Sequence, residues 1–395
     1  MERMELSEKA KKLETSPTLA ISDQAKRLQD AGQEVISLGA GEPDFNTPKH
    51  INQAAIEAIN NGFTGYTETV GTKELRLAIS NDLAKRNLTY DIDEIIVTSG
   101  AKYALFSVLQ TIIESGDEVI LPAPYWVSYP EQIEFAEGEV KAVETKENNN
   151  FKMTGEDFAQ AITEDTKAVV INSPSNPTGA VYQKSELQEI AELALENNIL
   201  IISDEIYQKV TYEREAVSIA ALDKEVKENT IVIDGVSKAY AMTGWRIGYA
   251  AASKEIISAM GCLQSHSTSN PNSIAQKAST AALTGTQEPT KKMVEAFKKR
   301  RDLVVEILNS ISGFTTIKPK GAFYLFVNVK GLIGSEIKGK KIDNDQQLAE
   351  ILLDQAGVAT IPGSFFGKSG YLRLSYAAGE EKLKRAGEKI KKLIE

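Results

Sequence analysis

The sequence contains very little cysteine and histidine. Of its 395 residues, one is a cysteine, Cys262, and two are histidines, His50 and His266. A single cysteine cannot form a disulfide within the chain, and no Cys/His cluster has the spacing of metal ligands. A mechanism built on a histidine acid and base pair has few candidates. These shortages argue against a disulfide framework and a metal centre, and they predict a reducing, cytoplasmic environment.

Long apolar runs and a surplus of positive charge are missing as well. No stretch approaches the roughly 20 apolar residues of a membrane-spanning helix. Residues 1–14, MERMELSEKAKKLE, lack the apolar segment of a signal peptide. The formal net charge is -10, whereas proteins that bind nucleic acid or anionic lipid usually present a basic surface. We therefore expect a cytoplasmic protein with no nucleic-acid partner and no membrane partner.

The remaining pattern is that of a folded α/β protein. The chain is 42% hydrophobic and 25% charged, and its length favours two or three domains. From about residue 94, β-branched runs alternate with stretches of helical period, which predicts a mostly parallel seven-stranded sheet with crossover helices. We predict a large domain at 46–285 and a smaller α+β domain formed by 1–45 and 286–395. The predicted strands of the large domain are EIIVTS, EVILP, EVKAVET, KAVVINS, ILIISDE, TIVIDG and RIGYAAA.

Polar residues gather where these predicted strands end, and ligands of open parallel sheets bind beyond the carboxyl ends of strands. The first strand is followed by Gly100, Ala101 and Lys102 at a helix start, where free N–H groups favour a phosphate. Alone this signal is weak, because glycine before a helix is more often ordinary turn chemistry. Asp204 follows a strand of buried type and needs a cation or hydrogen bonds to stay ionised. A structural ion pair or a helix cap explains Asp204 equally well.

Further side chains have both an ordinary and a functional interpretation. Lys238 lies among small and apolar residues directly after Ser237, either in a solvated loop or in a pocket that holds an amine. Trp126 belongs to a core or stacks on a flat heterocycle, and Asn176 belongs to a turn or donates to a ring oxygen. We take the strand that contains Arg373 to be an edge strand. Its guanidinium is then either solvated or binds a carboxylate through two hydrogen bonds.

Together these residues describe one ligand, which is planar, phosphorylated, basic at a ring nitrogen and held covalently by an amine. Pyridoxal phosphate has these properties, and a lysine Schiff base with an acidic partner at the ring nitrogen is its expected environment. A serine hydrolase is the distant alternative, since GVSKA approaches the G-x-S-x-G motif at Ser237. However, the last position is Ala239, and the downstream His266 lies in a polar, loop-like segment. A non-enzymatic regulator of the same fold is disfavoured by the full set of candidate site residues.

Five motifs, GAGEPDF, SPSNPTG, SDEIY, SKAYAMTGWRIGY and YLRLSYA, carry a family resemblance. The chain resembles the class I and II pyridoxal-phosphate aminotransferases of the aspartate aminotransferase fold, in particular the bacterial aspartate aminotransferase branch. The resemblance extends from about residue 15 to the end. It implies the pyridoxal-phosphate-dependent transferase fold of type I and a homodimer with shared active sites.

The resemblance also implies roles for individual residues. The catalytic residues would be Lys238, which binds the cofactor covalently and shuttles a proton, together with Asp204 at the ring nitrogen and Tyr207 at the ring hydroxyl. Arg373 would bind the substrate α-carboxylate, and Gly41 would close over it. The other cofactor-binding residues would be Gly100, Ala101, Lys102, Ser237 and Arg246 around the phosphate, Tyr66 of the partner subunit beside it, and Trp126 and Asn176 at the ring and substrate.

Substrate choice depends on Lys102 in this resemblance. In the bacterial branch a lysine at this position is thought to meet the distal carboxylate of aspartate or glutamate. A lysine in the first turn of a helix is disfavoured by the helix dipole, so an anionic partner for Lys102 is more credible. We therefore expect transfer of the amino group of L-aspartate to 2-oxoglutarate. Aromatic, alanine or prephenate aminotransferases and other enzymes of this fold are the alternatives, and Glu14, where relatives that accept prephenate tend to carry lysine, counts against prephenate.

Overall fold

The computed structural model describes residues 5–7, 11 and 15–395, so Glu14 lies outside the described residues. Among the residues described, no helix combines the length and the apolar character that a membrane crossing needs. The helices are, in chain order, α1 (Pro17–Asp30), α2 (Lys49–Asn60), α3 (Lys73–Ala84), α4 (Ala101–Ile112), α5 (Ser128–Phe135), α6 (Gly155–Ala161), α7 (Lys184–Glu196), α8 (Lys224–Glu228), α9 (Lys254–Ser267), α10 (Ser273–Thr284), α11 (Glu288–Asn309), α12 (Asp345–Ala356) and α13 (Glu380–Ile394).

The strands form one large sheet and several smaller ones. In chain order they are β1 (Ile36–Ser37), β2 (Ile95–Thr98), β3 (Glu118–Ala123), β4 (Glu139–Glu144), β5 (Thr166–Asn172), β6 (Leu200–Asp204), β7 (Thr230–Gly235), β8 (Gly248–Ala251), β9 (Thr315–Thr316), β10 (Tyr324–Asn328), β11 (Glu336–Ile337), β12 (Lys340–Lys341), β13 (Val358–Ala359), β14 (Ile361–Pro362) and β15 (Tyr371–Ser375).

The large sheet has seven strands in the order β2-β8-β7-β6-β5-β3-β4. All pairs within β3 to β7 are parallel, and β8 runs antiparallel to both of its neighbours. The predicted α/β class with a mostly parallel seven-stranded sheet is confirmed. The predicted strand RIGYAAA was wrong at its start, because Arg246 has φ 56, in the left-handed region, and β8 begins at Gly248.

Helices cover both faces of this sheet, which is why its strands read as continuous apolar runs. One face packs against α2 and α3, through residues such as Ile51 and Leu75, and the same face carries Val232 of β7. The other face packs against α4 and α9, and it carries Ile231 and Ile233 of β7. This burial fixes the sheet as a rigid platform, so the residues at its strand ends hold their positions.

The second sheet is antiparallel, with the order β14-β15-β10-β9. The strand β15 lies between β14 and β10, with Arg373 opposite Phe326 and Ile361. The interpretation of this segment as an edge strand was therefore wrong. The N-terminal residues pack on the same part of the chain, since β1 pairs in parallel with β13 and α1 contacts both strands. The domain limits near residues 45 and 285 stay a prediction.

Candidate active site

A cavity of about 460 Å³ lies beyond the carboxyl ends of β2, β5, β6 and β7. The strand ends supply Asn172 and Asp204, and the second sheet contributes Tyr324 and Arg373. Another wall is formed by Ser37 and residues 39–42 of the N-terminal segment. The cavity therefore occupies the crevice in which ligands of open parallel sheets bind. The sequence-predicted site residues that line it are Gly41, Ala101, Lys102, Trp126, Asn176, Asp204, Tyr207, Ser237, Lys238, Arg246 and Arg373.

The amine of Lys238 faces this cavity from the loop after β7. Its Nζ donates a hydrogen bond of 2.6 Å to the carbonyl oxygen of Gly41. Burial lowers the pKa of Lys238 to about 8. The Glu42 carboxylate opposes this shift, whereas the guanidinium groups of Arg246 and Arg373 add to it. The neutral, nucleophilic form of the amine is thus more available near neutral pH than in a solvated lysine, and the solvated-loop interpretation does not hold.

Asp204 ends β6 with its side chain buried, at 4% exposure. One carboxylate oxygen accepts from the Tyr129 hydroxyl at 2.7 Å, and the other accepts from the Ile206 N–H at 3.2 Å. Burial raises the pKa of Asp204 to about 6, and these two hydrogen bonds oppose the rise. Neither bond is an ion pair, so the carboxylate keeps its negative charge available to a cationic group in the cavity.

A cradle for an anion surrounds the start of α4. Gly100 precedes the helix with φ 91, and a Cβ added there would lie 2.3 Å from Nη2 of Arg246. The Arg246 guanidinium donates to the carbonyl oxygens of Thr243 at 3.0 Å and Ser99 at 3.3 Å. Only glycine leaves room for this close approach of the guanidinium to the helix N-terminus. The N–H groups of the first turn and Arg246 are together suited to a phosphate.

Arg373 is buried, at 2% exposure, so the solvated alternative is excluded. Its guanidinium donates to Asn176 Oδ1 at 3.1 Å and to the carbonyl oxygen of Gly39 at 2.7 Å. The group also lies 4.5 Å from the ring centre of Tyr324. Burial lowers the pKa of Arg373 from its usual value, and its Nε has no hydrogen-bond partner among the described residues. A buried cation with an unused donor is suited to an anionic ligand.

Two aromatic side chains define further walls of the cavity. The Tyr207 hydroxyl forms a hydrogen bond of 2.8 Å with the Tyr324 hydroxyl. Trp126 is half-buried and meets the ring of Tyr129 edge-on, with 5.3 Å between ring centres. The Nζ of Lys102 lies 4.9 Å from the centre of the Trp126 ring. Burial and the charge of Arg246 lower the pKa of Lys102, as expected for one cation beside another.

The cavity wall leaves out two predicted site residues and includes others that the sequence did not single out. Gly100 lies behind the Arg246 guanidinium, and Tyr66 is 92% exposed and absent from the lining. The one local sign for Tyr129 is its place three positions after Trp126, in the first turn of α5. Tyr324 has none, since GAFYLFVNV is typical of a core strand. The additional lining residues that bear polar side chains are Ser16, Thr18, Ser22, Ser37, Glu42, Ser128, Tyr129, Asn172, Thr243 and Tyr324.

This α/β fold, with a buried amine, carboxylate and guanidinium around one cavity, is typical of a group-transfer enzyme, and comparison with known proteins gives the family. The sequence pattern of the family "Aminotransferase class I and II" matches residues 33–390. The chain belongs to this family and is an aminotransferase.

Three similar proteins bear related names. The aspartate aminotransferase of Bacillus subtilis (strain 168) is 50% identical over 394 residues, which cover 99% of each chain. The probable aspartate/prephenate aminotransferase of Rickettsia typhi is 45% identical, with 98% of each chain covered. The solved structure of Thermus thermophilus aspartate aminotransferase with maleate has a TM-score of 0.93 at 42% identity, and the match covers 99% of this chain and 100% of that one.

Proposed function

We propose that this enzyme is an aspartate aminotransferase with pyridoxal phosphate as its cofactor. It moves the amino group of L-aspartate to 2-oxoglutarate, which gives oxaloacetate and L-glutamate, in two half-reactions of ping-pong order. The observation that carries the proposal is the convergence of the Lys238 amine, the Asp204 carboxylate and the Arg373 guanidinium on one cavity. The family and the names of the similar proteins support it.

The residues around the cavity fit pyridoxal phosphate. The phosphate would be held at the cradle made by Gly100, Ala101, Ser237 and Arg246, where a Cβ at position 100 would fill the space beside the guanidinium. Gly100 also has the left-handed φ that lets the first turn of α4 begin there. The covalent attachment would be made by Lys238, whose amine has an unusually low pKa. Both features match the chemistry of an aldehyde that carries a phosphate.

When bound, pyridoxal phosphate supplies an aldehyde that takes up amino groups and a ring that accepts the electrons left by the substrate α-proton. Lys238 holds the cofactor and moves the proton at the substrate α-carbon, because its amine changes protonation near neutral pH. Asp204 would keep the ring nitrogen protonated with its buried negative charge. Tyr207 and Asn176 would hold the ring hydroxyl, and Trp126 would shield one face of the site from water.

The cavity favours a substrate with two carboxylates. Arg373, with its unused Nε donor, would bind the α-carboxylate, and Gly41 would lie beside it. Lys102 stands elsewhere on the same cavity wall, beside Trp126, and would meet the distal carboxylate. Two cationic side chains directed into one cavity suit a dicarboxylic amino acid or oxo acid. Maleate, which accompanies the Thermus thermophilus enzyme, is a dicarboxylate.

A homodimer would complete the site. The side chains of Tyr66, Ile56 and Ile59 are exposed, although they are large and apolar or aromatic. Such a surface suits a second copy of the chain, from which Tyr66 of the partner subunit would reach the phosphate. For each subunit we keep the predicted division into a large domain of residues 46–285 and a small domain of residues 1–45 and 286–395. The cytoplasmic location stays a prediction.

The pH dependence of cofactor capture follows from the pKa of Lys238. The folded-state pKa of about 8 lies below the usual lysine value, so the amine loses its proton as the pH rises through 8. We expect the rate at which the cofactor-free chain captures pyridoxal phosphate to rise through this range and to level off above it. Stopped-flow absorbance between pH 6 and 10 measures it. Glu42→Gln removes a carboxylate that raises this pKa and should move the midpoint lower; a rate with no break between pH 7 and 9 contradicts the assignment.

The aspartate assignment is tested by comparing half-reactions with aspartate, glutamate, alanine and phenylalanine in the wild type and in Lys102→Ala. Loss of one charge-assisted contact should lower kcat/KM for the two dicarboxylates about 10- to 100-fold and leave alanine unchanged. Lys102→Arg keeps the charge and should retain most of the preference. An equal loss for all four amino acids, or no loss, would show that Lys102 does not select the distal carboxylate.

Prephenate is the second candidate as amino acceptor, because the Rickettsia typhi relative bears the name aspartate/prephenate aminotransferase. The position aligned with Glu14 lies outside the described residues, so it gives no geometric argument. The same assay with prephenate in place of 2-oxoglutarate distinguishes the two acceptors. A kcat/KM for prephenate that matches the value for 2-oxoglutarate would widen the proposed substrate range.

A further inference from the structure

The Tyr129 phenol lies against the carboxylate of Asp204 inside the fold. Its hydroxyl donates to Oδ2 of Asp204 at 2.7 Å, and Tyr129 itself is 2% exposed. The ring is fixed in the first turn of α5 by an edge-on contact with Trp126. The other carboxylate oxygen already accepts from the Ile206 N–H. Each oxygen of the carboxylate therefore has one protein donor, and its orientation is set from two sides.

We propose that Tyr129 is a positioning residue that keeps the Asp204 carboxylate ionised and oriented toward the ring nitrogen of pyridoxal phosphate. The proposal rests on the proposed function. Tyr129 would act on the cofactor only through Asp204, without touching the reacting atoms. Neither the family match nor the names of the similar proteins assigns a role to this residue.

The groups around Asp204 show why the phenol matters. Burial raises the pKa of Asp204 to about 6, the neighbouring Glu205 raises it further, and Lys238 lowers it. Among the groups that lower the pKa of Asp204, the hydrogen bond from Tyr129 has the largest effect, ahead of the one from the Ile206 N–H. The phenol of Tyr207 also interacts with this carboxylate. Removing the phenol leaves the carboxyl in the same buried surroundings without that donor, so it should take up a proton at a higher pH.

A phenol is also the right kind of partner for this task. Burial and the Asp204 charge raise the pKa of Tyr129 well above its usual value, so the hydroxyl stays protonated and serves as a donor. A lysine or arginine in its place would neutralise the carboxylate and compete with the ring nitrogen. The neutral donor stabilises the negative charge and leaves it available. By contrast, the adjacent Glu205 is paired with Arg86 at 2.8 Å.

The first test requires no cofactor. Infrared difference spectra of the full-length chain, recorded over a pH titration, follow the carboxyl C=O band that Asp204→Asn removes. We expect the midpoint of this band in Tyr129→Phe to move up by about one pH unit or more. An unchanged midpoint overturns the proposal. Should Tyr129→Phe not fold, 3,5-difluorotyrosine at position 129 keeps the packing and, as a stronger donor, should move the midpoint down; no movement with this residue also overturns the proposal.

The second test measures the dissociation constant of pyridoxal phosphate. Tyr129→Phe should weaken binding about tenfold in the wild-type background and have no further effect in an Asp204→Asn background. The matched control is Tyr182→Phe, which loses a buried hydrogen bond of 2.9 Å with the Met153 N–H instead. This control should bind the cofactor as the wild type does. A wild-type chain that does not bind pyridoxal phosphate overturns the proposed function and this role together, whereas equal binding by wild type and Tyr129→Phe overturns only the role of Tyr129.

Discussion

Replacing Lys238 by alanine is expected to lower the turnover of aspartate with 2-oxoglutarate by at least about 10⁴-fold, because the covalent attachment and the proton transfer both depend on its amine. The geometry explains the size of this effect, since the Nζ of Lys238 faces the cavity and its pKa of about 8 makes the neutral amine available. Turnover is measured by coupling oxaloacetate formation to its reduction, and covalent attachment by mass spectrometry after borohydride reduction.

The matched control for this experiment is Lys102→Ala, which removes another amine from the same cavity wall. It should keep the yellow colour and the borohydride-fixed cofactor on Lys238. A Lys238→Ala chain that still carries reduced cofactor on another lysine with normal turnover would contradict the assignment. A colourless wild-type chain with an organophosphate label on Ser237 would favour the hydrolase instead. The expected loop position of His266 was wrong, since it lies in the last turn of α9, and this histidine is absent from the cavity lining.

Replacing Arg373 by lysine should lower kcat/KM about 100-fold for every amino-acid substrate, aspartate and alanine alike, because all share the α-carboxylate. The buried guanidinium is oriented by Asn176, by the Gly39 carbonyl and by the Tyr324 ring. A lysine has one nitrogen and cannot replace the planar, multi-nitrogen guanidinium in these contacts. Steady-state kinetics with both substrates measure the loss. The equal loss distinguishes this variant from Lys102→Ala, whose effect is confined to dicarboxylates.

Arg301→Lys is the matched control for that variant. Arg301 is also a buried arginine, and it donates to the Pro319 carbonyl at 2.9 Å and pairs with Asp302. It lies outside the cavity lining, so its replacement should reduce thermal stability without changing kcat/KM. If Arg373→Lys likewise reduced only stability, or if it spared alanine, Arg373 would not be the residue that binds the α-carboxylate.

The strand ends could be recognised from the sequence because the signals there are local. A β-branched run followed at once by a polar residue, as at Asp204, is visible in a short window of sequence. In a parallel sheet all carboxyl ends meet at one edge, so Gly100, Asp204 and Lys238 were expected together without knowledge of the tertiary contacts. The family resemblance then attached roles to these positions, and the cavity contains most of them.

The environment of these residues could not be predicted in the same way. The edge-strand interpretation of Arg373 failed because β15 pairs on both sides, with the nearby β14 and with β10 from an earlier part of the chain, and the sequence of β15 does not show how many partners it has. A continuous apolar run such as that of β10 gives no sign that Tyr324 reaches the cavity. Tyr129 and Asp204 are 75 residues apart in the sequence, and Tyr207 and Tyr324 are 117 residues apart. No local pattern specifies such pairs.

The sequence by itself determined the α/β class, the seven-stranded sheet and the family, since these depend on periodicity and on motifs that lie in continuous stretches. The tertiary structure alone decided which of the candidate charges are buried and what each one touches. Burial fixes the pKa of Lys238 near 8 and that of Asp204 near 6, and these values depend on side chains brought together from several strands. Electrostatic free energies depend on distance and on exclusion of water, and only the folded chain sets both.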